Sequence, residues 1–288
     1  MIKLLRGDFA RLFKSKTFWL GIIFMLVLAA LMVHNVWDNA QLDIEYVIVS
    51  PDGILLVGAA YVGIVSAIFT GFYIGTDYSN GTVRNKNIMG HSRAAIYLSD
   101  LIVCVTASLI MHIAYIAVVI GAVCAGITPK FIASAGSIAA QILISVFSVA
   151  ALSAMLQFVS MLIPHRSAGV VSAIVLMLIM NFAANSVHIK LREKEFSTIG
   201  YTIVTAEDGS VVTTPQTDRN PNYLTGTKRK VFEIIHNVLP LNQIYQMING
   251  GRDTETSGNG AFLPLYSLAL TAVITTTGVL IFRRKDLK

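Results

Sequence analysis

The chain has 288 residues, 55% of them hydrophobic and 13% charged, with a mean hydropathy of +0.67. So few ionised side chains hardly cover a water-soluble domain, which excludes an ordinary soluble enzyme and points to a single membrane domain. The formal net charge is +6, yet the basic residues lie at the ends of apolar segments and form no stripe on a soluble face, so the expected neighbours are anionic lipid headgroups and not nucleic acid.

In chain order, residues 1–16 read MIKLLRGDFARLFKSK. Ile2, Leu5, Phe9, Leu12 and Phe13 share one helical face while Lys3, Arg6 and Lys14 lie elsewhere, the pattern of a helix lying in the membrane interface; the plainer alternative is a basic flank to a first span. The stretch is too polar for a cleavable signal and no small-residue cleavage site follows, so the first span is expected to be retained. Six segments are apolar enough to span, at residues 17–37, 54–76, 94–126, 131–163, 168–188 and 262–282; a crossing needs about 20 residues. The third and fourth run to about 33 residues, roughly 50 Å at 1.5 Å per residue, against a hydrocarbon core of about 30 Å. They should tilt or project.

Lysine and arginine set the expected orientation. Lys3, Arg6, Arg11, Lys14 and Lys16 precede the first span, whereas the first connection carries Asp43, Glu45 and Asp52 and no basic residue. Arg84, Lys86 and Arg93 follow the second span, Lys130 the third, His165 and Arg166 the fourth, and RRKDLK the last. Both termini are therefore expected in the cytoplasm, with residues 77–93 a cytoplasmic loop. Residues 189–261 form the expected extracytoplasmic loop, in which eight basic and eight acidic residues balance. Within it, 207–222 is turn-rich and reads as irregular or as a short hairpin. KVFEIIHNVLPLNQIYQMINGG follows with helical spacing, broken at Pro240 and stopped at Gly250 and Gly251; it reads as one or two short helices at the outer surface.

The charged break GTDYSNGTVRNKNIMGHSR, residues 75–93, has its own local logic. Asn80-Gly81 signals a turn, Thr82 suits a helix cap, VRNKNIM makes about two turns and Gly90 suits their end. Ser92 then suits the cap of the third span. So short a helix hardly forms alone in water. Something must hold it.

On these residues the chain resembles the permease subunits of ABC-2 type transporters, the type V exporter-like group. Asp77-Tyr78-Ser79-Asn80-Gly81-Thr82-Val83-Arg84-Asn85-Lys86, then Gly90-His91-Ser92-Arg93 and Ile96-Tyr97-Leu98, are similar to the family's segment after its second span, and the six-span layout with an interfacial start fits it too. Where the family often has Glu, this chain has Asp77, one methylene shorter, which leaves its pairing open. The resemblance implies an all-α fold of six spans with a coupling helix that docks on a separate ATPase. The coupling residues it implies are Thr82, Val83, Arg84, Asn85, Lys86, Asn87, Ile88, Met89 and Arg93. It further implies two ATPase copies that bind ATP and Mg, a second permease (a copy or a paralogue), and a prokaryotic plasma membrane.

The residues themselves carry little chemistry. No G-x-x-x-x-G-K-[ST] occurs, so the chain has no phosphate-cradling loop of its own. The six histidines are scattered without metal-ligand spacing, and neither G-x-S-x-G nor a paired Ser/Lys set occurs, so no cofactor, metal or catalytic residue is expected. Cys104 and Cys124 read as small hydrophobes. Among polar residues inside spans, the candidates for cavity or helix contacts are Asp100, His112, Gln141, Gln157, Asn181 and Asn185. His112, Gln157, Asn181 and Asn185 are cavity or interhelical candidates, with His112 expected to be hydrogen-bonded in the interior. For Asp100, near the end of a helix expected to project, solvation is as good an explanation as a functional role. Span interiors supply almost no carboxylates, which counts against a proton-driven carrier. A GxxxG at Gly71 and Gly75 permits close packing without locating it. A carrier or channel without an ATPase, and a scaffold or intramembrane enzyme, stand as alternatives.

Overall fold

The computed structural model describes residues 1–41, 50–163, 165–205, 211–250 and 262–285. Asp43 and Glu45 of the first connection, residues 207–210, Gly251 and the last three residues lie outside them. The described residues form ten helices and one two-stranded sheet. In order these are α1 (Ile2–Lys14), α2 (Lys16–Gln41), α3 (Pro51–Ser79), α4 (Thr82–Ile88), α5 (Arg93–Cys124), α6 (Ala135–Leu162), α7 (Arg166–Arg192), β1 (Phe196–Thr205), β2 (Val211–Arg219), α8 (Gly226–Val238), α9 (Pro240–Gly250) and α10 (Leu263–Arg284). Six of them, α2, α3, α5, α6, α7 and α10, are long and apolar enough to cross a membrane. The protein is an all-α membrane protein carrying one small hairpin.

Local chemistry fixes the helix ends. Pro51 opens α3 in its first turn, where a missing N–H costs nothing, and the Ser50 hydroxyl accepts from the Gly53 N–H at 3.2 Å. Ser92 and Ser134 cap α5 and α6 in the same way. Left-handed Gly126 closes α5 with the Ile127 N–H on the Ala122 carbonyl at 3.0 Å, a closure that a side chain at this φ would strain. The chain then stays irregular up to Ser134, and Asp52 accepts the N–H groups of Ile132 and Ala133, both at 2.9 Å. Thus α6 begins at Ala135, not at residue 131.

The centre of the bundle is α3, which packs on α2, α5, α6, α7 and α9. Small residues let its neighbours in. A Cβ on Gly71 would stand 2.6 Å from the Val170 Cα, and one on Gly75 would stand 2.7 Å from the Arg166 Cα. The GxxxG therefore seats the backbone of α7. By contrast α2, α7 and α10 leave Leu20, Val27, Phe182 and Val273 exposed, as lipid-facing helices do.

At the end away from the termini, β1 and β2 pair antiparallel from Phe196 with Arg219 to Thr205 with Val211; β2 falls inside the turn-rich segment 207–222, and its partner β1 comes from the residues before that segment. The apolar repeat after it splits at Pro240 into α8 and α9. Leu241 and Ile244 are buried, and α9 packs against α3, α6 and α7. Gln243 joins two spans: its Oε1 accepts from Ser148 of α6 at 2.8 Å and from Ser267 of α10 at 2.7 Å. Alongside, His236 of α8 meets His188 of α7 at 3.4 Å between Nε2 and Nδ1.

Two expectations follow from this packing. Gly71→Ala overpacks a contact against backbone and should destabilise the protein by about 1–3 kcal/mol, whereas Gly121→Ala, where a Cβ meets nothing within 4 Å, should be near neutral; unfolding in detergent measures both. Burial, and then the neighbouring His188, push His236 from the ordinary 6.5 down to about 4. Because its folded value is depressed, the unfolded chain binds the proton more readily between those values, and stability should fall as pH drops from 6.5 towards 4. A melting series across that range should show a smaller fall for His236→Gln.

Candidate functional site at the short helix

The helix α4 forms where the turn signal stood, but it begins differently from expectation. Gly81 is the N-cap at φ +67°, and Thr82 lies inside the helix without a side-chain capping bond. Only glycine takes that left-handed cap without strain. At the other end Gly90, at φ +85°, closes the helix, with the His91 N–H on the Lys86 carbonyl at 3.2 Å and the Gly90 N–H on the Asn87 carbonyl at 3.1 Å. Ser92 caps α5 through the Ala95 N–H at 3.2 Å, as expected.

The helix has two unlike faces. Val83 is 2% exposed and Lys86 4%, whereas Ile88 and Met89 are 70% and 69% exposed. Arg84, Asn85 and Asn87 are exposed as well. Val83 and Lys86, expected among the docking residues, are therefore turned into the bundle and present nothing to a partner. Arg93 is turned away too: its guanidinium donates to the Arg283 carbonyl at 3.1 Å and to that of Lys285. Lys285, whose ammonium burial pushes below the ordinary lysine value, donates to the Met161 carbonyl at 2.7 Å and the Leu162 carbonyl at 3.1 Å. A cation there complements the open carbonyl end of α6. These two residues fasten α10 to α5 and α6.

Lys86 enters a centre of buried charge. Its Nζ lies 2.8 Å from Asp8 Oδ1 of α1, 3.4 Å from Asp77 Oδ2 of α3 and 3.1 Å from Asp100 Oδ1 of α5. Arg11 of α1 is the second cation; it pairs with Asp77 and lies 3.7 Å from Asp8 and 3.8 Å from Asp100. Its guanidinium stacks 4.0 Å over the Tyr73 ring. Ser99 donates to Asp8 Oδ2 at 2.6 Å, and the Tyr73 hydroxyl to the Asp8 carbonyl at 3.0 Å. Carboxylate oxygens of the three aspartates lie within 4.8 Å of one another, a spacing that a cation must bridge, and the Lys86 ammonium bridges it.

Two expectations are corrected here. Asp100 is fully buried and ion-paired, not solvated, because α1 folds across the end of α5 and covers it. Buried carboxylates are also less scarce than the span sequences suggest, since Asp8 comes from the interfacial helix and Asp77 from the last turn of α3. Asp77, left open by its shorter side chain, is paired by Arg11 and Lys86. Asp8 and Arg11 were missed. The available signal was Asp8 as the one acidic residue of the first 16, spaced by four from Leu4 and Leu12, all three of which are buried.

The other polar candidates lie apart from this centre. His112 Nε2 meets Ser145 Oγ at 2.9 Å across α5 and α6, as an interior histidine should. Gln157 is fully buried, and neither amide atom has a hydrogen-bond partner among the described residues. Asn181 bonds back to the Met177 carbonyl of its own helix at 3.0 Å. Asn185 and Gln141 face outward or nearly so. A separate apolar groove of about 350 Å³ opens between α2 and α5, with Ala30, Val33, Gly121 and Ala122 in its wall and His34 and Trp37 at its edge.

The chain matches no protein-family model and no curated protein.

Removing one partner of a buried pair leaves uncompensated charge. Lys86→Met should therefore destabilise the protein by about 3–5 kcal/mol, while Arg84→Ala two residues away on the exposed face should change it by less than about 0.5 kcal/mol; melting of the two purified variants in detergent decides.

Proposed function

We propose that the chain is the permease subunit of an ATP-driven transporter of the ABC-2 type, with α4 as its coupling helix. The observation that carries this reading is the division of α4 into a face locked to α1, α3 and α5 by Lys86 and a face that offers Arg84, Asn85, Asn87, Ile88 and Met89 outward. A seven-residue helix held this way moves only with the spans it is bonded to. A push on its outer face thus becomes a displacement of α3 and α5. Arg84 supplies a charged contact and Ile88 with Met89 an apolar one, a pairing suited to a groove on a soluble partner.

In this reading the termini and α4 lie in the cytoplasm, and two ATPase subunits bind ATP and Mg against two permeases, either copies or paralogues. Closure of the ATPases rocks the permease halves and switches access to a cavity between them; ATP drives the switch only through its different affinity for the two states. The apolar groove flanked by His34 and Trp37 suits the acyl or apolar part of an amphipathic peptide, lipid-like molecule or hydrophobic drug, so the direction proposed is export. The three buried carboxylates favour one other reading, an ion-coupled carrier working without an ATPase. The two are separated by whether transport needs ATP.

The test is co-expression with the soluble chain of a neighbouring reading frame that carries G-x-x-x-x-G-K-[ST]. The two should co-purify, and Arg84→Glu or Ile88→Asp should lower transport and substrate-stimulated ATP hydrolysis by about tenfold, an interface loss near 1.4 kcal/mol, with insertion unchanged. Normal transport in both variants, or labelling of cysteines at positions 85 and 87 only from outside the cell, would overturn the assignment.

A further inference from the structure

The buried centre does not balance its own charge. Asp8, Asp77 and Asp100 bring three carboxyls, and Arg11 and Lys86 bring two cations. The remaining groups around it are neutral: Tyr73 from α3, and Ser99 and Cys104 from α5. Arg93 and Lys285, two further cations that bind at the helix ends, are engaged on backbone carbonyls. One unit of negative charge is left over among side chains that are 3%, 1% and 0% exposed. Carboxylates crowded in a dry site relieve such an excess by keeping a proton.

The hydrogen bonds say which oxygen keeps it. Both oxygens of Asp8 are engaged, by Lys86 and Ser99, and both of Asp77, by Arg11 and Lys86. Among the described residues Asp100 is engaged through Oδ1 alone; its Oδ2 is buried and has no partner there. An uncharged hydroxyl there costs far less than an unpaired carboxylate oxygen.

We propose that the centre is a proton-binding site, neutral at pH 7 because Asp100 carries a proton on Oδ2. The proton comes from water and returns to it, and no bond to carbon changes. Lys86 enters the centre from α4, so withdrawing α4 would leave three carboxyls facing Arg11 alone and would draw in a second proton. Movement of the short helix is thereby linked to proton uptake, and by reciprocity acidification loosens its attachment. This holds whether or not α4 docks on an ATPase.

Infrared spectra of the full chain in detergent at pH 7, taken in water and in heavy water, test it directly. The wild-type protein should show the carbonyl stretch of a protonated carboxyl, moved by deuterium, where ordinary aspartates give only carboxylate bands. That band should vanish in Asp100→Asn and persist in Asp52→Asn, whose carboxylate caps backbone N–H groups elsewhere. Should Asp100→Asn fail to fold, Asp100→Glu keeps the acid and should shift the band. A wild-type spectrum with no protonated carboxyl at pH 7 overturns the proposal, the more clearly if sodium is retained by the protein in its place. A band unmoved by either substitution at Asp100 overturns it as well.

Discussion

Five ionisable side chains from four helices meet where α1, α3, α4 and α5 converge, and the arrangement at that end of the protein depends on their meeting. Charges taken out of water are tolerated only in company, so none of α1, α3, α4 or α5 can leave this junction without stranding a partner. The short helix has too few residues to persist alone; Lys86 and Val83 supply what its length lacks. The interfacial helix is held by the same device, with Asp8 and Arg11 tying it to the bundle beside the buried Leu4 and Leu12.

The fold was legible in the sequence to a useful depth because bilayer crossing imposes length and apolarity together. Pro240 and the flanking apolar repeat foretold the break between α8 and α9, and Ser92 and Gly90 did the same for the joint at α5. The places where the reading fell short share a cause. Thr82 yielded its cap to Gly81, and α6 begins at Ala135, because the outcome turns on a backbone angle in one case and on the distant carboxylate of Asp52 in the other. Periodicity within a segment does not encode either.

The charged centre was the least legible part for the same reason. Asp8 is distant along the chain from Asp77, Lys86 and Asp100, these three lie on three different helices, and each of the four has an ordinary local explanation as a flank, a loop or a helix end. Only tertiary structure shows that a helix flagged as amphipathic keeps its aspartate towards the protein and its lysines away from it. The exposure of Arg84, Asn85, Asn87, Ile88 and Met89 follows from helical spacing once one side of the turn is known to be buried. What spacing alone left undecided was which side.

The Gln243 junction gives the opposite end of the molecule a different character. There two spans share one amide oxygen through two serine hydroxyls, none of which ionises in water. That fastening is indifferent to acidity and to dissolved ions, while the fastening near the termini is made almost entirely of groups that respond to both. The bundle is thus hinged unequally: a fixed pin at one extremity, and at the other a clasp whose grip the surrounding solution can adjust.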